Sequence, residues 1–61
     1  MKILIRQVRD QKGITLDELS LKTGISRRTI IRYEQDNLSP TLKTLEKIAN
    51  ALEVDVLDLI V

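Results

Sequence analysis

Apolar residues recur at intervals of three and four along most of this 61-residue chain, the spacing that places them on one face of an α-helix. Glycines and polar turn residues interrupt this pattern and divide the chain into five segments. The pattern predicts an all-α fold of five short helices. Their expected extents are about Lys2 to Gln11, the residues between Thr15 and Gly24, Ser26 to Gln35, Thr41 to Leu52, and Val56 to Ile60.

Local signals mark the ends of the first two predicted helices. Gly13 and Gly24 can end them, because glycine readily adopts the left-handed conformation that closes a helix. Thr15 and Glu18 have the spacing of a capping box, in which each side chain accepts a hydrogen bond from the other residue's backbone amide. The fourth predicted helix has the clearest inward-facing stripe, formed by Leu42, Leu45, Ile48, Ala49 and Leu52.

The last segment allows two interpretations. Val54, Asp55 and Val56 alternate as in a strand, and β-branched residues favour strands. A strand needs a partner, and no other segment has the pattern of one. We therefore expect a short helix from Val56 to Ile60, capped by Asp55, with the strand as the alternative.

Composition excludes several kinds of site. The chain has no Cys and no His, so it lacks the usual zinc ligands, the commonest general base and the thiol nucleophile. Its two Gly leave no glycine-rich phosphate loop. No apolar run has the roughly 20 residues that span a bilayer, and the first residues do not resemble a signal peptide. We expect one cytoplasmic domain, residues 1–61, that is not an enzyme and binds no membrane, metal, cofactor or small-molecule ligand.

The net charge of +1 hides an asymmetry along the chain. Residues 1–32 carry eight basic and three acidic side chains, a charge of +5, whereas residues 33–61 carry two basic and six acidic ones, a charge of −4. A basic half points to a polyanion as partner. The alternative is a pair of ordinary solvated surfaces with mixed charges.

Residues 14–34 predict two short helices joined by a turn that contains Gly24, the layout of a helix-turn-helix. In the second of these two helices, which is the third of the chain, one face with an arc of about 140° holds four residues: Arg27, Arg28, Ile31 and Arg32. Ile30 and Tyr33 point the other way and are expected in the core. Three Arg without an acidic residue suit bidentate contacts to guanine edges and to phosphates. This face is therefore predicted to bind double-stranded DNA, the alternative being a merely solvated face.

A set of residues between about Ile5 and Leu59 matches a known family pattern: Arg9, Leu19, Gly24-Ile25-Ser26, Thr29-Ile30, Tyr33-Glu34, Pro40, Ile48-Ala49-Asn50-Ala51-Leu52 and Val54. On these residues the chain resembles the phage repressor and Cro-type helix-turn-helix domains, also called the xenobiotic-response-element family. The resemblance implies a lambda-repressor-like fold of five helices and a recognition helix in the major groove. It also implies a dimer on a palindromic operator.

The resemblance further implies roles for single residues. Its base-facing positions fall on Arg27, Arg28, Ile31 and Arg32. Its phosphate-contacting positions fall on Thr15, the backbone amide of Leu16, Gln35 and Asn37, and we expect Ser26 to join them. Arg9 and Glu34 occupy positions that in many members bridge the first helix to the end of the third. The alternative is an exposed Glu34.

Two of the departures from the family pattern lie within the second predicted helix and at the end of the third. Ser20 stands where a small Ala is usual, and it is tolerated if its hydroxyl bonds to a carbonyl one turn earlier. Asp36 stands where Gly usually ends the third helix.

The last predicted helix directs Val56 and Leu59 into the core and leaves Leu57, Ile60 and Val61 on other sides. Three large aliphatic side chains together in water are unusual for a small monomer. We therefore expect these three, joined by Leu38, to form a homodimer interface. The alternative is a frayed apolar tail.

Together these features predict a transcriptional repressor of the phage or mobile-element kind that acts by occupying an operator. The rival hypothesis is an antitoxin, or another protein-interaction module, that binds DNA only secondarily.

Overall fold

The computed structural model describes residues 2–61, and its helices follow the predicted segments. Four α-helices run from Ile5–Lys12 (α1), Leu16–Thr23 (α2), Arg27–Glu34 (α3) and Leu42–Leu52 (α4), and a 3₁₀ turn covers Val56–Leu59. The all-α prediction is confirmed, with four α-helices and a 3₁₀ turn in place of five α-helices. Within residues 2–61, no helix is long and apolar enough to cross a membrane.

Side-chain caps begin α2, α3 and α4, and the one at α2 is the predicted capping box. Thr15 Oγ1 accepts from the amide of Glu18 at 3.1 Å, and Glu18 Oε1 accepts from the amide of Thr15 at 3.4 Å. Ser26 and Thr41 each accept, at 3.2 Å, from the backbone amide three residues later. Each hydroxyl satisfies one amide that has no partner inside its helix.

Each of the four α-helices is followed by a residue in the left-handed conformation. Gly13 and Gly24 follow α1 and α2 with φ 68° and 74°, as predicted, but Asp36 after α3 and Glu53 after α4 adopt φ 60° and 58°. After Asp36 the amide of Asn37 donates to the carbonyl of Arg32 at 2.9 Å, which closes α3. The turn that favours Gly is thus formed twice by residues with a Cβ, at a conformational cost that Asp tolerates better than Glu.

The two ends of the described chain pair with each other, contrary to the sequence prediction. Ile3 and Ile60 form an isolated antiparallel bridge. The amides of Lys2 and Val61 each donate to the other residue's carbonyl, at 3.4 and 3.0 Å. The prediction that the first helix begins at Lys2 and the last reaches Ile60 is therefore wrong. The residues before α1 supply the partner that an extended Ile60 needs.

One apolar core unites all the elements, and its members are Ile3, Ile5, Val8, Leu19, Ile30, Tyr33, Leu45, Ile48, Ala49, Leu52 and Leu59. Around it, α2 packs on α3 and α4, while α1 packs on α3, α4 and the 3₁₀ turn. Leu42 was predicted in the inward stripe of α4, but it is 64% exposed. It lies at the first turn of the helix and about 70° from the centre of the stripe, so the stripe ends at Leu45.

Candidate nucleic-acid interface

Hydrogen bonds from two hydroxyl groups fix the turn between α2 and α3. Thr23 is buried; its Oγ1 donates to the carbonyl of Leu19 at 2.8 Å and accepts from the amide of Ile25 at 3.2 Å. Ser20 Oγ donates to the carbonyl of Ile25 at 2.6 Å. The Ser20 hydroxyl is thus satisfied by a carbonyl five residues later and not by one a turn earlier, because Gly24, at φ 74°, turns the chain back over the end of α2. The turn is thereby held to α2 from both sides.

The two faces predicted for α3 are present in the structure. Ile30 is fully buried and Tyr33 is 8% exposed, so both belong to the core as predicted. The other face is open to solvent, with the three arginine side chains exposed and Ile31 half-buried among them. Packing of Ile30 and Tyr33 therefore fixes which side of the helix the arginines occupy.

The outward face of α3 and the loop that follows it form one shallow depression. Its lining consists of Arg27, Arg28, Ile31, Arg32, Gln35 and Asn37. These are the four residues predicted to face bases and two of the five predicted to contact phosphates. No acidic side chain of residues 2–61 belongs to this lining, and Asn37 Nδ2 donates to Gln35 Oε1 at 3.4 Å. The depression offers three guanidinium groups and two amides to a ligand approaching from one side.

The other three predicted phosphate contacts lie at helix N-termini, outside the depression. The hydroxyls of Thr15 and Ser26 cap α2 and α3. Leu16 is the first residue of α2, and its half-buried side chain packs against the core. Only the backbone of Leu16 can therefore serve a phosphate, as the amides of a first helical turn commonly do.

Arg9 and Glu34 meet across the molecule. Arg9 Nε donates to Glu34 Oε2 at 3.1 Å, which joins α1 to the last residue of the helix that carries the arginine face. Neither Arg9 nor Glu34 belongs to the lining of the depression, so the contact can orient the helix without entering that surface.

Sequence reasoning missed an acidic residue beside the arginines. Asp17 Oδ1 lies 2.9 Å from Arg27 Nε, and the two side chains are 73% and 64% exposed. In the sequence, Asp17 is an ordinary acidic residue in the first turn of a helix, where negative charge is favourable. Only the angle between α2 and α3 brings it next to Arg27, so periodicity carries no signal of the contact.

The four residues predicted to form a dimer interface differ in exposure. Leu38, Leu57 and Val61 are exposed by 41%, 77% and 77%. Ile60 is half-buried, packs against the core and has extended backbone, with φ −126° and ψ 150°. The helical arrangement predicted for this group is therefore wrong at Ile60 and Val61, because the 3₁₀ turn ends at Leu59. Three exposed aliphatic side chains remain.

Comparisons with known proteins agree with this geometry. The HTH_3 helix-turn-helix family model matches residues 5–59. An uncharacterized HTH-type transcriptional regulator of Methanothermobacter thermautotrophicus is 42% identical over 52 residues, which cover 85% of this chain and 75% of that protein. The immunity repressor protein of Bacillus phage phi105 is 35% identical over 52 residues, or 85% of this chain and 36% of the repressor.

A solved structure is similar as well. The restriction-modification controller protein C.Esp1396I superposes with a TM-score of 0.79 and 35% identity, covering 85% of this chain and 68% of that one. The fold, the arginine face and these relatives lead to one conclusion: the chain belongs to the HTH_3 (Cro/C1-type) helix-turn-helix family and is a transcriptional regulator with a DNA-binding domain.

Proposed function

We propose that this protein recognises a specific double-stranded DNA sequence through the outward face of α3 and represses transcription by occupying its operator. The observation that carries the proposal is the depression in which three arginines and Ile31 share one face. A guanidinium group can donate two parallel hydrogen bonds to O6 and N7 of guanine, and an apolar side chain can contact the methyl group of thymine. The phage immunity repressor among the relatives supports repression as the outcome.

The dimensions of α3 suit the major groove. A helix with its side chains is about 10–12 Å across, close to the roughly 12 Å width of the groove in B-DNA. Arg27 and Arg28 begin α3, and residues at the start of a recognition helix are those that reach base edges in this motif. Arg32, one turn further along, and the two amides of Gln35 and Asn37 extend the same surface towards the phosphate backbone.

Contacts to phosphate orient such a complex. The proposed contacts are Thr15, the amide of Leu16, Ser26, Gln35 and Asn37. Leu16 and Ser26 support this role because they lie at helix N-termini, where backbone amides and the helix dipole attract anions. Contacts to phosphate carry no sequence information themselves. They fix the position of the protein along the duplex and so determine which base pairs the arginines meet.

We also propose that two copies act together on a palindromic operator. Leu38, Leu57 and Val61 supply exposed aliphatic side chains, and Ile60, next to Val61 in the chain, is half-buried. A two-fold contact through this surface would let both recognition helices enter major grooves about 34 Å apart, the separation of adjacent half-sites. The contact is small, so the proposed dimer forms mainly on DNA.

Selection from a pool of random DNA duplexes tests the proposal. The wild-type protein should enrich one palindromic motif with guanines in each half-site. A variant with Arg27, Arg28 and Arg32 all changed to Ala should stay folded by circular dichroism and lose the enrichment. The matched control changes Arg6, Lys43 and Lys47 to Ala, since it removes the same charge from exposed positions outside the depression. If the arginine variant bound the motif as tightly as wild type, the recognition surface would lie elsewhere.

A further inference from the structure

We infer that Asp17 is a positioning residue that holds Arg27 for contact with guanine and thereby sets the base preference at one position of the DNA site. This inference rests on the proposed function. Asp17 lies in the first turn of α2 and Arg27 is the first residue of α3, and their side chains meet at 2.9 Å between Oδ1 and Nε.

The donor arrangement of arginine makes this contact compatible with base recognition. A guanidinium group has five N–H donors in a rigid plane. Pairing of Arg27 Nε with Asp17 leaves the two terminal Nη groups, which can donate the parallel hydrogen bonds that guanine O6 and N7 accept. Arg27 lines the depression as well, so the inference assigns its remaining donors to a ligand bound there.

Arg27 differs from the other two arginines of the depression because it forms an ion pair. Among residues 2–61, no carboxylate forms an ion pair with Arg28 or Arg32. Both are exposed, and no ion pair restrains their long side chains. An arginine side chain that is already restrained loses less conformational entropy when it binds a base. Of the three arginines, Arg27 is therefore the best pre-organised for binding.

The charge of Asp17 makes the inference testable by the sign of two effects. A carboxylate beside the DNA repels phosphates and weakens binding to every sequence. The same carboxylate, through Arg27, favours guanine at one position. Removing it should therefore strengthen binding to random DNA and reduce discrimination at that position, a combination that simple loss of folded structure does not produce.

The main experiment compares wild type and Asp17→Ala on the selected duplex and on duplexes with each base changed in turn. The preference for guanine at one base pair should fall about threefold in Asp17→Ala, because an exposed ion pair restrains Arg27 only modestly. Binding to random duplex should rise about twofold at low salt. Asp17→Glu keeps the carboxylate and should recover part of the preference.

Glu18→Gln is the matched control for charge. It removes one negative charge from the same turn of α2, and Gln keeps an oxygen that can accept from the amide of Thr15. It should raise binding to random duplex as Asp17→Ala does, with every base preference unchanged. In an Arg27→Ala background, Asp17→Ala should likewise change no base preference, because the residue acts only through Arg27.

A measurement without DNA tests the ion pair itself. ¹⁵N relaxation of arginine Nε should show Arg27 more ordered than Arg28 and Arg32 in the free protein, and the three alike in Asp17→Ala. If Asp17→Ala kept every base preference while Arg27→Ala lost one, the positioning role would be wrong and the proposed function would stand. If the wild-type protein enriched no DNA sequence, the proposed function would fail and the inference would fail with it.

Discussion

The Arg9 guanidinium and the Glu34 carboxylate form an ion pair that is largely shielded from water, with side chains that are 13% and 9% exposed. Arg9 also uses Nη1 to donate to the carbonyl of Ile14 at 3.1 Å. One side chain therefore connects α1, the end of α3 and the segment that leads into α2. The position of the DNA-facing helix depends on a contact made at its far end.

We expect Arg9 and Glu34 to be coupled energetically. Removing either partner leaves the other charge unpaired in a largely buried position. Arg9→Met and Glu34→Gln should therefore each lower the free energy of unfolding by on the order of 3 kcal/mol. A double-mutant cycle followed by urea unfolding measures the coupling. The exposed pair of Asp17 and Arg27 is the control, and its cycle should return less than about 1 kcal/mol. Equal coupling energies in the two cycles would contradict this prediction.

The three arginines of the depression should separate into base-reading and phosphate-contacting residues. Changing a base-reading Arg to Ala should cost about 1–3 kcal/mol on the selected duplex and relax preference at one base pair. Changing a phosphate-contacting Arg should weaken all duplexes alike and reduce the salt dependence by about one ion. Titrations of Arg27→Ala, Arg28→Ala and Arg32→Ala at several salt concentrations distinguish the two. Three variants with unaltered base preferences would count against direct readout by α3.

Thr23 should stabilise the turn between the two DNA-facing helices through its hydroxyl group. Thr23→Val keeps the shape of this buried side chain but leaves the amide of Ile25 without its acceptor, which should cost about 1–3 kcal/mol. Thr44→Val is the control because its hydroxyl contacts only that of Thr41, at the surface, and it should cost well under about 1 kcal/mol. Thermal unfolding of both variants compares them. A loss as small as the control's would show that the amide finds another partner.

Local signals made most of the binding motif predictable. The capping box of Thr15 and Glu18, the N-cap Ser26 and the turn at Gly24 involve residues within a few positions of each other, so the sequence contains them in full. The two faces of α3 follow from helical periodicity alone, which is why Ile30 was correctly predicted in the core.

Contacts between distant residues were predictable only where a family pattern pointed to them. The Ile3–Ile60 bridge joins two single residues at opposite ends of the chain, and neither segment is long enough to show a strand pattern. The contact of Asp17 with Arg27 depends on the angle at which two helices meet. Helix caps and hydrophobic periodicity each describe a single element, so they could predict neither the bridge nor the ion pair.

Glu53 should be a site where glycine stabilises the protein. Its backbone has φ 58°, a conformation that costs a residue with a Cβ about 1 kcal/mol or more. Glycine relieves that cost and adds freedom to the unfolded chain, so Glu53→Gly should gain about 0.5–1 kcal/mol of unfolding free energy. Glu53→Ala keeps the strain while removing the charge, and it should give no gain.

Gly13 supplies the reverse test of the same conformation. It has φ 68°, and a Cβ built there meets no atom within 4 Å, so the cost of Gly13→Ala is conformational and not steric. Gly13→Ala should lose about 1 kcal/mol in urea unfolding. A stabilised Glu53→Ala, or an unaffected Gly13→Ala, would mean that left-handed geometry is not what limits stability at these helix ends.

Leu57 should separate assembly on DNA from folding of the monomer. It is 77% exposed on the 3₁₀ turn, so Leu57→Glu should leave the thermal transition nearly unchanged. If Leu57 lies in a two-fold contact, a charge on each copy would meet its like across that contact and oppose pairing. Binding to a full palindrome should then fall towards that of a single half-site, and sedimentation of the protein–DNA complex should report one bound copy in place of two.

Leu42→Glu is the control, since Leu42 is 64% exposed at the start of α4 and outside the proposed interface. Loss of cooperativity in the control together with normal cooperativity in Leu57→Glu would place the dimer surface at the start of α4.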